Sequence, residues 1–136
     1  MKQLAPSILS ADFICLGEQL KQLQKLCIHY LHIDVMDGMF VPSISFGMPV
    51  IASLRKHTDM FFDVHLMIEE PIRYVNALRQ AGADGLTVHA EACADLPGTI
   101  AAIRESGAKP AVCLSPKTPL SKLDGILDQV DMVQNK

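Results

Sequence analysis

Several patterns that would assign this chain of 136 residues to a common functional class are missing from it. No apolar run is long enough for a membrane-spanning helix, and the first residues lack the apolar stretch of a signal peptide. Lys and Arg are scattered among acidic residues and the net charge is −3, so no basic stripe is available for nucleic acid. We therefore expect a cytoplasmic protein that binds neither a membrane nor nucleic acid.

Short sequence motifs of two further classes are also absent. The four cysteines form no CxxC pair and have no spacing typical of a zinc cage or a disulfide framework, which predicts reduced, mostly buried thiols. No GxGxxG follows the first predicted strand, and there is no GxxxxGK[ST] loop, so the main signals of dinucleotide-binding and P-loop folds are missing.

What the chain does contain is a regular alternation of short apolar runs with longer helical patterns. The predicted strands are Leu4–Leu9, Tyr30–Met36, Met60–Leu66, Leu86–His89, Ala111–Leu114 and a sixth that begins at Asp131. The predicted helices run from Asp12 to about Cys27, from Pro49 to His57, from Pro71 to Gly82, from Leu96 to Ser106 and from Pro119 to Asp128. This alternation predicts parallel βα units within one domain, residues 1–136.

Both open doubly wound sheets and closed (β/α)8 barrels fit the alternation. Polar residues stand at the carboxyl ends of several predicted strands, namely Ser10, His32 with Asp34, His65 and His89. Barrel enzymes assemble their sites at that end, so this placement and the missing nucleotide motifs favour the barrel.

The stretch His32-Ile33-Asp34-Val35-Met36-Asp37-Gly38 carries the most chemical information. Alternate side chains of a strand share one face, so His32, Asp34 and Met36 are expected on one side. Together with His65 they offer two imidazoles and a carboxylate, a ligand set suited to Zn, Fe(II), Mn or Co. Such an ion polarises a carbonyl, and a carboxylate facing the α-carbon can move a proton.

Simpler interpretations of the same residues stay open at this point. A histidine at a strand end often makes only structural hydrogen bonds, and Met36 and Met67 can be core fillers. Asp37 can be a turn residue beside Gly38. The remaining histidines are expected at the surface (His29, His57) or lining the mouth of the fold (His89).

The sequence resembles the ribulose-phosphate 3-epimerase family. The resemblance rests on Ala5-Pro6-Ser7-Ile8-Leu9-Ser10-Ala11-Asp12-Phe13, on His32 to Pro42, on Asp63-Val64-His65-Leu66-Met67, on Ala81-Gly82-Ala83-Asp84 and on Leu114 to Pro119. It implies a (β/α)8 barrel of the ribulose-phosphate-binding type that interconverts D-ribulose 5-phosphate and D-xylulose 5-phosphate with a divalent metal. It implies metal binding by His32, Asp34 and His65, acid–base catalysis by Asp34, and substrate contacts from Ser10, His65, Met36 and Met67.

Members of the family continue beyond the Asp-Met-Val of the sixth strand with a second acidic residue and glycine-rich phosphate loops. Here Asp131-Met132-Val133 is followed by Gln134, Asn135 and Lys136. We therefore expect five βα units and the start of a sixth strand, marginal stability, self-association or a homo-oligomer, and little or no epimerase activity of this chain alone. The alternatives are an epimerase for allulose 6-phosphate, a noncatalytic fragment acting as an assembly module, and a product that is degraded.

Overall fold

A computed structural model describes residues 2–136, which form a parallel sheet covered by helices. The strands are β1 Tyr30–Met36, β2 Phe61–Met67, β3 Gly85–His89, β4 Lys109–Leu114 and β5 Met132–Asn135. The α-helices are α1 Leu16–Lys25, α2 Met48–Arg55, α3 Val75–Ala81 and α4 Leu96–Glu105. None of the helices in this part of the chain is long and apolar enough to cross a membrane.

The strands lie side by side in the order in which they occur in the sequence, and each is parallel to the next. Because the order never reverses and parallel crossovers keep one hand, the connecting helices cover a single face of the sheet. The core lies between that face and the helices. It contains Leu31, Ile33 and Val35 of β1, Phe62, Val64 and Leu66 of β2, and helix residues such as Ile51, Leu78 and Ile103.

The opposite face, which we call the inner face, is concave. Lys136 follows β5 at one edge of the sheet, yet its Nζ lies 3.2 Å from Nε2 of His32 on β1 at the other edge. Near the amino ends of the strands the same face borders a cavity of about 390 Å³ lined by residues such as Tyr30, Phe61 and Met132. Consecutive strand order, helices on one face and this curvature are the features of part of a (β/α)8 barrel.

Two predicted elements are wrong. Leu4–Leu9 is not a strand: Pro6 has no N–H to donate, and Ser7 Oγ accepts a hydrogen bond from the backbone N–H of Leu9, which turns the chain into a 3₁₀ helix over Ile8–Ser10. One bridge between Ser7 and His32 remains beside β1. The predicted helix Pro119–Asp128 is instead two 3₁₀ turns, Leu120–Leu123 and Leu127–Gln129, separated by Gly125 at φ +80°.

The environment predicted for the cysteines is also partly wrong. All four are free, as expected, but Cys15 and Cys27 are exposed, Cys93 is half-buried and only Cys113 is buried. The predicted helix ends earlier than expected: α1 ends at Lys25, so Cys27 lies beyond it with φ +57°.

Candidate metal centre

Three side chains from two neighbouring strands meet on the inner face. His32 and Asp34 are two residues apart on β1, and strand alternation points both inward. Asp34 pairs in register with His65 of β2, which brings the second imidazole beside the carboxylate. All three residues are buried, so strand pairing and the helices behind the sheet hold their backbones in place.

The ligand atoms of this triad point at one another. His32 Nε2 and His65 Nδ1 each lie 3.1 Å from Asp34 Oδ1. Ligand bonds of 2.0–2.2 Å around one cation place neighbouring ligand atoms roughly 3.0–3.4 Å apart. The observed contacts fall in that range before any ion is considered.

A cationic group of the chain already lies among these atoms. The ammonium of Lys136 is 3.2 Å from His32 Nε2, 3.5 Å from Asp34 Oδ1 and 3.5 Å from His65 Nδ1. Its side chain is 47% exposed, whereas that of Asp34 is 7% exposed. The triad therefore forms a site for positive charge, and the half-exposed side chain of Lys136 contacts it.

Residues behind the triad fix its orientation. Asp63 Oδ2 lies 2.9 Å from the other ring nitrogen of His32, its Nδ1. Ser7 Oγ donates a 2.6 Å hydrogen bond to Asp34 Oδ2, and Ser45 Oγ donates one of 2.8 Å to the Asp34 carbonyl. A carboxylate behind a ligating imidazole is typical of metal sites, because it sets the tautomer and the orientation of the ring.

The protonation states follow from these contacts. Hydrogen bonding to Asp34, and then to Asp63, raises the pKa of His32 from 6.5 to about 9, although burial opposes the change. Burial alone would raise the pKa of Asp34, but hydrogen bonds from His32, His65 and Ser7 outweigh it and hold the pKa well below its usual range. Asp34 is thus a carboxylate at neutral pH, the form that binds a cation and accepts a proton.

The loop after β1 is anchored by Asp37, which has the structural role expected of it. Asp37 Oδ1 accepts hydrogen bonds from the backbone N–H groups of Met39 and Phe40, and Oδ2 accepts one from Glu69 in the segment after β2. Gly38 adopts φ +74°, and a Cβ there would lie 2.8 Å from Ile44. This loop closes over the carboxyl end of β1 beside the triad.

The other predicted site residues differ in burial and in their distance from the triad. Met36 and Met67 are paired in register at the carboxyl ends of β1 and β2 and are half-buried on the inner face beyond the triad. His89 is buried beside His65. Ser10 lies exposed at the end of the first 3₁₀ helix, and the hydroxyl that contacts Asp34 belongs to Ser7. His29 and His57 are exposed, as predicted.

Sequence reasoning missed Ser7, Asp63 and Lys136. The alternation that places His65 on the inner face also places Asp63 there, so that signal was available. Ser7 was hidden by the wrong prediction of a first strand. Lys136 becomes visible only through the curvature of the sheet, because 104 residues separate it from His32.

The fold and the inner-face ligands define an α/β-barrel protein with a candidate metal centre at the carboxyl ends of its strands. The Ribulose-phosphate 3 epimerase family profile matches residues 3–134, and the chain belongs to that family. It is 50% identical over 133 residues to the ribulose-phosphate 3-epimerase of Bacillus subtilis, covering 98% of this chain and 61% of that protein. It is 46% identical over 130 residues to the enzyme of the same name from Treponema pallidum, covering 96% of this chain and 60% of that protein.

The chain therefore spans about 60% of the length of these two relatives. Among solved structures, the tryptophan synthase α-subunit of Pyrococcus furiosus superposes with a TM-score of 0.67 at 14% identity, covering 97% of this chain and 65% of that one. The tryptophan synthase α-subunit from Legionella pneumophila superposes with a TM-score of 0.63 at 16% identity, covering 98% of this chain and 61% of that one. At such identities the likeness shows the barrel architecture alone.

Proposed function

We propose that this chain carries the metal-binding and first acid–base half of a ribulose-phosphate 3-epimerase site. The observation that carries the proposal is the convergence of His32, Asp34 and His65 on one position already occupied by the Lys136 ammonium. Zn, Fe(II), Mn and Co all suit two imidazoles and a carboxylate. The relatives named above support D-ribulose 5-phosphate as the substrate rather than allulose 6-phosphate.

Each residue has a distinct proposed role. When bound, a divalent cation supplies Lewis-acid polarisation of the substrate carbonyl. Asp34 takes the proton from the carbon beside that carbonyl and returns it. Met36 and Met67 line the reacting carbon with polarisable, apolar sulfur, and Ser10 contacts the substrate from the end of its turn.

Inversion at a carbon requires a second acid on the opposite face. The inward positions of the five described strands carry two carboxylates, Asp34 and Asp63, and Asp63 is hydrogen-bonded to the far side of His32. With a single proton-transferring group, a proton can leave and return on one face only. We therefore expect these residues to exchange the C3 hydrogen of ribulose 5-phosphate with solvent while forming little or no xylulose 5-phosphate.

Deuterium incorporation tests this role directly. The 136-residue chain is incubated with Mn²⁺ and ribulose 5-phosphate in D₂O, and the C3 position is followed by NMR. Incorporation at C3 without inversion is the expected result, and Asp34→Asn should abolish it because the amide neither accepts the proton nor ligates as a carboxylate. Asp59→Asn, at an exposed position, is the matched control.

The outcomes separate the parts of the proposal. Exchange that persists in Asp34→Asn would remove Asp34 from the reaction. No exchange in the unmodified chain, with Mn²⁺ bound, would leave a metal centre without proton-transfer function. Exchange of allulose 6-phosphate but not of ribulose 5-phosphate would reassign the substrate.

The proposed setting is the cytoplasm, with a small sugar phosphate as the partner and self-association through the open edge of the sheet. Strand β5 is one of the two edge strands, and its Met132 and Val133 are 41% and 46% exposed. Exposed apolar side chains next to unpaired backbone groups favour pairing with another copy. Light scattering coupled to size exclusion should therefore show a mass above that of one chain.

A further inference from the structure

A second group of metal-ligand side chains lies on the inner face, outside the triad. We propose that His65, His89 and Cys113 form a thiolate-containing site for a thiophilic cation such as Zn²⁺. The proposal goes beyond the function above, because it concerns a different ion position and does not require epimerase chemistry.

The three side chains are contributed by neighbouring strands. His65 is on β2, His89 on β3 and Cys113 on β4, and His89 pairs in register with Cys113. Their exposed fractions are 0%, 5% and 0%. One ligand atom of each lies within 4.8 Å of the other two.

The two imidazole nitrogens lie somewhat closer together than the ligands of a tetrahedral zinc site. His65 Nε2 lies 2.8 Å from His89 Nε2. Zinc bonds of about 2.0–2.1 Å to nitrogen and 2.3 Å to sulfur require separations of roughly 3.3–3.6 Å between ligand atoms. The two imidazole rings are stacked with centroids 4.9 Å apart, and to bind one ion they would have to move slightly apart.

Both histidines have a carboxylate behind the nitrogen that would not bind the ion. His65 Nδ1 lies 3.1 Å from Asp34 Oδ1, and His89 Nδ1 lies 3.5 Å from Glu91 Oε2. Ligating histidines usually donate their other N–H to a carboxylate, which orients the ring and increases its basicity. His89 Nδ1 is buried and has no closer hydrogen-bond partner among residues 2–136.

The surroundings favour an enclosed site with one open position. The ring of Phe40, from the loop after β1, packs on His89 with centroids 4.9 Å apart. Gln134, the register neighbour of Cys113 on β5, has a buried Oε1 without a hydrogen-bond partner in the described part of the chain. The fourth position is left to this oxygen or to water.

His65 belongs to both groups through opposite edges of its ring. Its Nδ1 faces the triad and its Nε2 faces the second site. A neutral imidazole has one unprotonated nitrogen, so it ligates one ion at a time. Occupation of the thiolate site therefore withdraws His65 from the triad, and the two sites compete.

Cobalt titration distinguishes the sites, because only the second contains sulfur. The full chain is titrated with Co²⁺ under reducing conditions, and a thiolate-to-cobalt charge-transfer band is expected in the near ultraviolet. The band should saturate at one equivalent, disappear in Cys113→Ala and Cys113→Ser, and be displaced by Zn²⁺. It should persist in His32→Asn, which removes a ligand of the triad only.

Two control variants address the two exposed thiols and the second carboxylate. Cys15→Ser with Cys27→Ser removes both exposed thiols and should leave the band unchanged. Glu91→Gln keeps an acceptor for the backbone N–H of Ser115 but removes the charge behind His89, and should weaken cobalt binding roughly 10- to 100-fold.

Each result decides the proposal. Absence of the band in the unmodified chain overturns it, whether or not Mn²⁺ binds the triad, so its failure is distinguishable from failure of the proposed function. Persistence of the band in both folded Cys113 variants, judged by circular dichroism, also overturns it. If neither Cys113 variant folds, the double variant Cys15→Ser/Cys27→Ser decides. Loss of the band in that variant would assign the sulfur to an exposed thiol and would also overturn the proposal.

Discussion

Replacing Lys136 with methionine is expected to tighten Mn²⁺ binding at the triad. The ammonium lies 3.2–3.5 Å from one atom of each of the three ligands, so it lies directly against the position that an ion bound to those atoms would take. Methionine has a comparable length but no charge, so Lys136→Met removes the ammonium group and keeps most of the apolar side chain. Mn²⁺ is the appropriate probe, because it prefers oxygen and nitrogen ligands to thiolate.

The magnitude follows from what the lysine does when the ion arrives. A unit charge about 4 Å from a divalent cation is repelled by roughly 8 kcal/mol at an effective dielectric constant near 20, so the ammonium cannot stay. Since its side chain is 47% exposed, it can swing into solvent. The cost is then only its contacts with the triad, about 1–2 kcal/mol for a partly solvated charge-assisted hydrogen-bond group.

This cost corresponds to an apparent Kd about 5- to 30-fold lower in Lys136→Met than in the unmodified chain. Isothermal titration calorimetry at constant pH and salt measures it, and Lys122→Met, in an exposed turn, is the matched control that should not change the Kd. Equal affinities of the unmodified chain and Lys136→Met would refute the competition. A weaker affinity in Lys136→Met would mean that the lysine supports the site rather than filling it.

Further predictions concern the support of the site and the loop beside it. Ser7→Ala removes the 2.6 Å hydrogen bond to Asp34 and should weaken Mn²⁺ binding at least about tenfold; an unchanged Kd by calorimetry would contradict the orienting role. Gly38→Ala forces a residue with a Cβ into φ +74° and should lower the free energy of unfolding, measured by urea titration, by about 1–3 kcal/mol. The control Gly17→Ala has nothing within 4 Å of the new methyl group and should leave that free energy unchanged or slightly raise it. The pKa of His32 is raised in the folded chain from 6.5 to about 9, so the protonated form stabilises the fold fully below pH 6.5 and that stabilisation is lost as pH rises through about 9. With a chelator present, the free energy of unfolding should fall by on the order of 2–3 kcal/mol over this interval, and a His32→Asn variant that shows the same slope would refute the assignment.

The strands and the first histidine–aspartate pair could be predicted because both depend on local periodicity. Helices α2, α3 and α4 lie within two residues of their predicted bounds, apart from a 3₁₀ first turn before α3. His32 and Asp34 share a face because a strand repeats every two residues. The presence of His65 at the same point depends on strand register, which pairs it with Asp34. The strand-end pattern predicted only that His65 lies at the same end of the sheet, and the resemblance to a family assigned it to the metal.

The errors have a common physical origin in hydrogen bonds that local patterns do not show. The apolar run Leu4–Leu9 has the composition of a strand, but a proline and a serine side chain redirect its backbone. The segment Pro119–Asp128 has helical spacing, yet Gly125 at φ +80° separates two short turns. Contacts across the inner face, such as that of Lys136, depend on the curvature of the sheet and have no signature in sequence spacing.

The arrangement of the inner face separates metal binding from catalysis. The triad is built by adjacent strands β1 and β2 and by Ser7, so its geometry depends on pairing near the start of the sheet rather than on a closed barrel. Inversion of a substrate carbon needs a second acid across the barrel, which strand pairing within β1 and β2 cannot supply. Asp34→Asn should therefore lower both ion affinity and C3 exchange. Lys136→Met should raise ion affinity without creating inversion. Xylulose 5-phosphate formed by Lys136→Met would show that a second proton donor reaches the substrate from the residues described.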